Sequence, residues 1–382
     1  MNAFKLLKIE ITVFAIALVV MIGFLVANPA ALAQVVNDIR GIVGPQPVAF
    51  VENTFYGIAD AFQHLTFQGK TTPGYWSTTP VPTAPAQSAP APTLRAVDPV
   101  FQPRNITPLY ANLAAPGEGV WTPIPNAFGP AAAPLMYKTF LHPDPNRPYA
   151  RVAIVAIDAT RVRLHVAAGT IEPVSTVKVE RTGLIPPADL THLVAAFNGG
   201  FRAIHGHYGM MVNGQTILPA EPSADTIALY SDGRVRIAPW SVISNTLPLM
   251  QSFRQTPPFL VSQGQVNATL QNEQLISWGA SVSGKTVIWR SAMGVSADGR
   301  TLYYAVGESL TAQRLAEALA AAGASDAAEL DVNLSFERFL MYAPANGNLT
   351  EQVLLDKMIY TPGIYVSKPS SRDFFYLTLV SK

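Results

Sequence analysis

Residues 293–333 read MGVSADGRTLYYAVGESLTAQRLAEALAAAGASDAAELDVN, and the order of patterns within them decides the fold class. Asp298-Gly299 interrupts the apolar run 293–306, as the tip of a β-hairpin does. A helix follows. Ser309 or Thr311 caps it, Leu315, Ala318, Leu319 and Ala322 form its buried stripe, and Gly323 stops it. The stretch 326–333 then alternates as a strand. Hairpin, helix and strand in succession predict a layered α/β (α+β) domain with a mixed, largely antiparallel sheet and flanking helices.

Working outward, Asn213-Gly214 within 210–218 and Asp232-Gly233 within 227–237 mark two more hairpins. All three dipeptides suit type I′ turns, which need φ > 0 at both central positions. The runs 152–157 and 162–166 read as further short strands.

The chain has 382 residues, 49% hydrophobic and only 13% charged, with a formal net charge of +1. That balance gives no broad basic surface, so nucleic acid is not expected as a partner. Cysteine is absent, which excludes disulfide scaffolds, Cys-ligated zinc and thiol catalysis. No cofactor or metal is expected.

Lys5 and Lys8 precede an uncharged run, 11–27. Its 17 residues sit at the lower limit of the roughly 17–25 needed for a spanning helix. The basic flank keeps the N-terminus in the cytoplasm and sends the rest across. Ala31-Leu32-Ala33 offers a cleavage site, so residues 1–33 are a signal-anchor or a signal peptide. Either way the C-terminal bulk is extracytoplasmic, held at the cell membrane by a single pass or secreted after Ala33.

Residues 34–70 contain a juxtamembrane amphipathic helix. Val48, Val51, Phe55, Ile58, Phe62 and Leu65 recur at alternating spacings of 3 and 4, a heptad-like seam. The seam either packs on the C-terminal domain or pairs two copies of the chain as a homodimer through 48–65. Lys and Arg are too few for a basic membrane-surface helix. Residues 71–148 form a Pro/Ala/Thr-rich linker and domain lead-in, extended and unable to bury a core. Residues 149–382 form the domain that carries function.

Four places in that domain can carry chemistry. An apolar strand ends in Asn198-Gly199-Gly200, where Asn198 can donate to a sugar or phosphate oxygen and the glycine N–H groups can cradle an anion. The alternative is a tight turn needing glycine for φ > 0. Arg202, His205, His207 and Tyr208 crowd together just beyond, with the two histidines on one side of an extended segment. Glu329, Asp331 and Asn333 share a strand face, with two carboxylates about 7 Å apart, a spacing at which acid and base flank a scissile bond. Arg290 can clamp phosphate, or pair with one of those carboxylates.

These pieces, in this order, resemble the phosphodiester glycosidase family. The matching stretches are Phe197-Asn-Gly-Gly-Phe201, then 209–214, 224–234, 290–299, the helix 310–323 and Ala327-Ala-Glu-Leu-Asp331, together spanning about 151–342. The chain is also similar to uncharacterised membrane-tethered bacterial relatives, which share the juxtamembrane helix and the ending Asp373-Phe-Phe-Tyr-Leu-Thr378. The resemblance implies an extracytoplasmic hydrolase acting on a glycosyl phosphodiester or related cell-envelope glycan. In that reading Asp331 is base or nucleophile, His205 or His207 the acid, and Arg290, Gly199 and Gly200 the phosphate site. Asn198, Glu329 and Asn333 complete the substrate contacts. One departure stands out. The family follows its strand aspartate with glycines and a serine, whereas Val332-Asn333-Leu334-Ser335 stands here, which puts bulk where backbone would approach a ligand. The alternative function is a non-catalytic glycan-binding or envelope-scaffolding domain on the same fold.

Overall fold

The computed structural model describes residues 45–67, 72, 74–76, 101–125, 133–271, 285–332, 335–345 and 348–380. The expected anchor within 1–33, the start of the segment 34–70 and residues 77–100 and 126–132 of the linker and lead-in lie outside them, as do Asn333 and Leu334. Among the described residues no helix is long and apolar enough to cross a membrane.

The chain divides into two compact units, Met1–Thr54 and Phe55–Lys382. The first is described only by the opening turns of helix α1 (Pro45–Phe67). The second is rich in strands. In chain order they are β1 (Thr122–Pro123), β2 (Met136–Leu141), β3 (Arg151–Asp158), β4 (Val162–Ala167), β5 (Leu193–Asn198), β6 (Met210–Val212), β7 (Gln215–Leu218), β8 (Asp225–Tyr230) and β9 (Val235–Pro239). After a one-turn helix α2 (Trp240–Ile243) come β10 (Met250–Thr256), β11 (Val261–Ser262), β12 (Gln265–Val266), β13 (Ile288–Val295) and β14 (Thr301–Leu310). Helix α3 (Ala312–Ala322) leads to β15 (Asp326–Glu329), β16 (Phe339–Ala345), β17 (Asn348–Val353) and β18 (Phe374–Leu379).

These strands make three sheets, ordered β1-β2-β3-β14-β13-β15-β11-β12, β7-β6-β10-β8-β9 and β17-β16-β5-β18-β4. The domain is therefore a sheet-rich α+β structure with few helices. Its ladders between described strands are all antiparallel, so the parallel part of the expected mixed sheet does not appear. The reason lies in the crossover. Helix α3 carries the chain from β14 past β13 to β15, so the two like-directed strands are separated by one that opposes both.

The lead-in 71–148 contributes more than a spacer, since β1 and β2 extend the eight-stranded sheet beyond β3. Strand β3 is buried along its whole length between β2 and β14, as its unbroken apolar run requires. Helix α3 has the expected caps: Thr311 accepts from the Arg314 N–H, and Gly323 is left-handed at φ 100°. Its face of Leu315, Ala316, Ala318 and Leu319 packs over β3, β13 and β14.

Only one of the three hairpin tips has the expected turn. Asn213 and Gly214 both have positive φ, as type I′ demands. At the other two tips Gly233 and Gly299 are left-handed while the aspartate before each is not. The Gly299 N–H returns to the Ser296 carbonyl, and Asp298 accepts from the Arg300 N–H. These longer loops need one left-handed residue, which glycine supplies.

From Tyr56 onward α1 lies on the domain through its polar stripe. Asp60 accepts from Arg147 Nε and Nη2 at 2.9 and 2.7 Å and from the Tyr149 hydroxyl at 2.8 Å. The Ser309 hydroxyl donates to Gln63, and the Phe67 ring meets Tyr149 edge-on. The surface beneath offers cations and hydroxyls, so the helix docks its hydrogen-bonding side. Packing through the apolar seam is not what forms: Ile58, Phe62 and Leu65 are 66%, 68% and 66% exposed.

Candidate functional site

The site grows from the end of β5. Phe197 stacks among Phe339 and Phe375 and tilts against Tyr304, which fixes the strand where three sheets share one core. Asn198, the last strand residue, is buried and its side chain is committed. Its Oδ1 accepts from the Tyr304 hydroxyl at 2.9 Å and from the Arg338 N–H, while Nδ2 donates to Ser291 Oγ at 2.9 Å. Ser291 passes the link on, donating to the Asp331 carbonyl at 2.7 Å. Burial raises the Tyr304 hydroxyl well above the ordinary tyrosine range, which keeps it a donor. Asn198 thus joins the end of β5 to the middle of β13 and, through Ser291, to the residues that follow β15.

Gly199 and Gly200 are glycines for reasons of approach, since neither has positive φ. A Cβ on Gly199 would stand 2.1 Å from Asp373 Oδ2, and one on Gly200 would meet the Arg254 guanidinium at 3.1 Å. Their N–H groups are also spoken for. Gly199 donates to the Asp373 carbonyl at 3.0 Å and Gly200 to Asp373 Oδ2 at 2.9 Å. The anion cradle expected from these groups is filled by the chain's own carboxylate.

Beneath the bend, Asp373 pairs with Arg254 of β10, Nε to Oδ2 at 2.9 Å, and neither side chain is exposed. Arg254 also donates to the carbonyls of Tyr208 at 2.8 Å and Gln255 at 3.0 Å, and to that of Phe201. One guanidinium therefore gathers both ends of the segment 201–208, the strand β10 and the lead into β18.

Above the bend lies a second pair. Asp331 Oδ2 bonds Arg372 Nη2, which also donates to the Gly200 carbonyl. These side chains are 10% and 11% exposed, so this pair reaches solvent where the one beneath does not. Burial pushes the Asp331 carboxyl up, and Arg372 beside it offsets part of that. The Phe336 ring stacks under the Arg372 guanidinium at 4.5 Å. Glu172 supports the same region: it holds Arg202 Nε at 2.7 Å and the Ala203 N–H at 3.0 Å.

Arg290 and Glu329 make a separate, closed pair. Arg290 Nη1 bonds Glu329 Oε1, and its remaining donors reach the carbonyls of Leu310 at 3.0 Å and Thr286 at 2.9 Å, all buried. The guanidinium expected to clamp phosphate instead pins β13 to β15 and to the end of β14. Glu329 is raised by burial, with Arg290 opposing. Glu337 interacts electrostatically with the carboxylates of Asp331 and Glu329 and with Arg290; it is fully buried, neither carboxyl oxygen has a hydrogen-bond partner among the described residues, and burial raises it well above the ordinary range.

The histidines do not stand on an extended segment. Residues Ala203–His205 form a single 3-10 turn, after which Gly206 and His207 take positive φ. His205 is half-buried and His207 exposed, both on the loop that leaves the glycine bend. Val332 packs on Phe201, Tyr208 and Ala224. Among the described residues no group of three or more His, Asp or Glu side chains could hold a metal.

The structure thus brings Asp331, Asn198, Gly199 and Gly200 together, separates Arg290 with Glu329, and leaves Asn333 outside the described residues. Arg254, Arg372 and Asp373 also stand at this candidate site and are not among the residues expected from the sequence. A signal for them was present: Arg254 interrupts a strand that is otherwise largely apolar or uncharged, and Arg372-Asp373 stands directly before the run Phe374-Phe-Tyr-Leu377.

An antiparallel three-sheet domain with a carboxylate–guanidinium pair over a double-glycine bend is the class that fold and site define. Residues 191–332 match the model of the phosphodiester glycosidase family. The match supports a hydrolase-like function. The chain is similar to the catalytic domain of zebrafish N-acetylglucosamine-1-phosphodiester alpha-N-acetylglucosaminidase, auto-inhibited by its pro-peptide. The identity is 12% and the TM-score 0.41, over 66% of this chain and 85% of that one. It is also similar to a hypothetical protein from Synechocystis (12%, TM-score 0.34, 66% and 65% covered). A putative exported protein from Burkholderia pseudomallei is a third likeness (13%, TM-score 0.31, 61% and 74% covered). No curated protein matches the chain.

Proposed function

We propose that the chain is an extracytoplasmic hydrolase of a glycosyl phosphodiester or related cell-envelope glycan, held at the cell membrane by its N-terminal segment. The observation that carries this reading is the solvent-reaching pair of Asp331 and Arg372 over the Gly199-Gly200 bend, within and beside the family segment. Arg372 takes the phosphate role first given to Arg290, because its side chain is 11% exposed where that of Arg290 is 1%, and a planar fork matches phosphate oxygens. When phosphate engages Arg372, Asp331 is released to act at the sugar centre as base or nucleophile. His207, exposed on the adjoining loop, supplies the proton to the departing oxygen. His205 stands two residues away as the other donor on that loop.

The test is turnover of a panel of sugar-1-phosphodiesters by the full-length protein. Release of sugar by the wild type, with loss of at least about a hundredfold in Asp331→Asn, supports the reading. No turnover on any member sinks it.

A second reading is favoured by specific contacts. Asn198, Arg290 and both glycine N–H groups are committed within the protein, and Val332 fills space against Phe201 and Tyr208. On that reading the domain binds envelope glycans without catalysis. Glycan binding that persists in Asp331→Asn, without turnover in the wild type, selects it.

A further inference from the structure

We infer that the outward seam of α1 is a self-association surface, on which a second copy of the chain lays the same helix in parallel. The seam holds Ile58, Phe62 and Leu65, each about two-thirds exposed, while the opposite side of the helix is clamped to its own domain. That clamp is specific and polar: Asp60 with Arg147 and Tyr149, and Gln63 with Ser309. The domain beneath is thereby excluded as the occupant, because turning the seam inward would break these bonds and face Asp60 to solvent.

Spacing and charge narrow the partner. Ile58, Phe62 and Leu65 continue the alternation of 4 and 3 that places residues at successive core positions of a coiled coil. The flanking positions Ala59, Ala61 and Thr66 are small and uncharged, so two copies meet without like-charge repulsion. Helix α1 has no Lys or Arg, and Glu52 and Asp60 are its only fully charged residues, which disfavours an anionic lipid surface. A seam facing an identical seam satisfies two-fold symmetry by pairing each position with itself. The 44 residues before Pro45 include the uncharged run 11–27, so copies tethered through it would enter their helices from the same end and in the same register.

The absence of cysteine makes the test direct. Single-cysteine variants Ile58→Cys, Phe62→Cys and Leu65→Cys of the full chain are oxidised mildly in membranes, with Gly57→Cys as the exposed off-seam control. The expected result is disulfide-linked dimer at the seam positions at least tenfold above the control. In detergent, Phe62→Asp is expected to shift the protein from dimer to monomer by light scattering, with an unchanged melting temperature because the side chain is exposed in one copy. Equal cross-linking at all four positions, or a wild-type monomer at high concentration, would overturn the inference. So would a monomer whose seam is protected only by added anionic vesicles.

Discussion

Asp373 Oδ2 accepts at 2.9 Å both from Arg254 Nε and from the N–H of Gly200, so one buried oxygen joins strand β10 to the glycine bend. The two side chains come from positions 119 apart in the sequence, and neither is exposed. Removing one partner leaves a buried charge uncompensated. Asp373→Leu or Arg254→Met is therefore expected to cost about 3–5 kcal/mol of unfolding free energy. The double variant Arg254→Met with Asp373→Leu should recover a large part of that loss. A denaturant-melt cycle over the four proteins checks this; additive losses would show that the two groups do not act as a pair.

Close approach, rather than backbone hand, explains the first glycine of the bend. Gly199→Ala places a Cβ 2.1 Å from Asp373 Oδ2 and 2.5 Å from its carbonyl oxygen, and backbone must move to admit it. Gly214→Ala meets nothing within 4 Å but must hold φ near 78°. The expected ordering is a loss of about 1 kcal/mol at Gly214 and clearly more, up to failure to fold, at Gly199. Comparing the two thermal midpoints under one buffer decides it, and an equal or reversed ordering contradicts the packing described.

How far the sequence revealed this site follows from what kind of contact each residue makes. The Asn213-Gly214 hairpin, the caps of α3 and the strand leading to Asp331 are local patterns, and all are present in the fold. The pairing of Arg290 with Glu329 was open as an alternative to phosphate binding, because both reside on neighbouring strands and only burial separates the two roles. The assignment of Gly199 and Gly200 to an anion cradle could not foresee Asp373, whose approach depends on β18 lying beside β5. Arg254 and Arg372 likewise act through contacts that no local period encodes. For α1 the seam was legible, while the side that docks was not, since Arg147, Tyr149 and Ser309 come from elsewhere in the chain.

Glu337 sets a pH dependence of stability. Burial raises its carboxyl well above the ordinary range, so across that window the folded state binds a proton that the unfolded chain has lost. Stability from this group is full below the unfolded pKa, about 4.3, and falls as pH rises toward the raised value. Glu337→Gln removes that fall. At pH 7 it should stabilise the protein, with the difference shrinking as pH drops below about 4. Chemical denaturation at several pH values reads this out. A variant less stable than the wild type at pH 7 would mean that Glu337 is ionised and held by a partner.

The account of the site turns on which arginine meets the substrate. The measurement is kcat/KM on a sugar-1-phosphodiester for Arg372→Lys and Arg290→Lys, each normalised to the folded fraction. Arg372→Lys is expected to lose about a hundredfold or more at nearly unchanged stability, since Lys cannot reproduce the bidentate fork. Arg290→Lys is expected to lose stability and to keep the rate of its folded molecules within a few-fold of wild type. A folded Arg290→Lys without activity, beside an Arg372→Lys that turns over normally, would contradict the account.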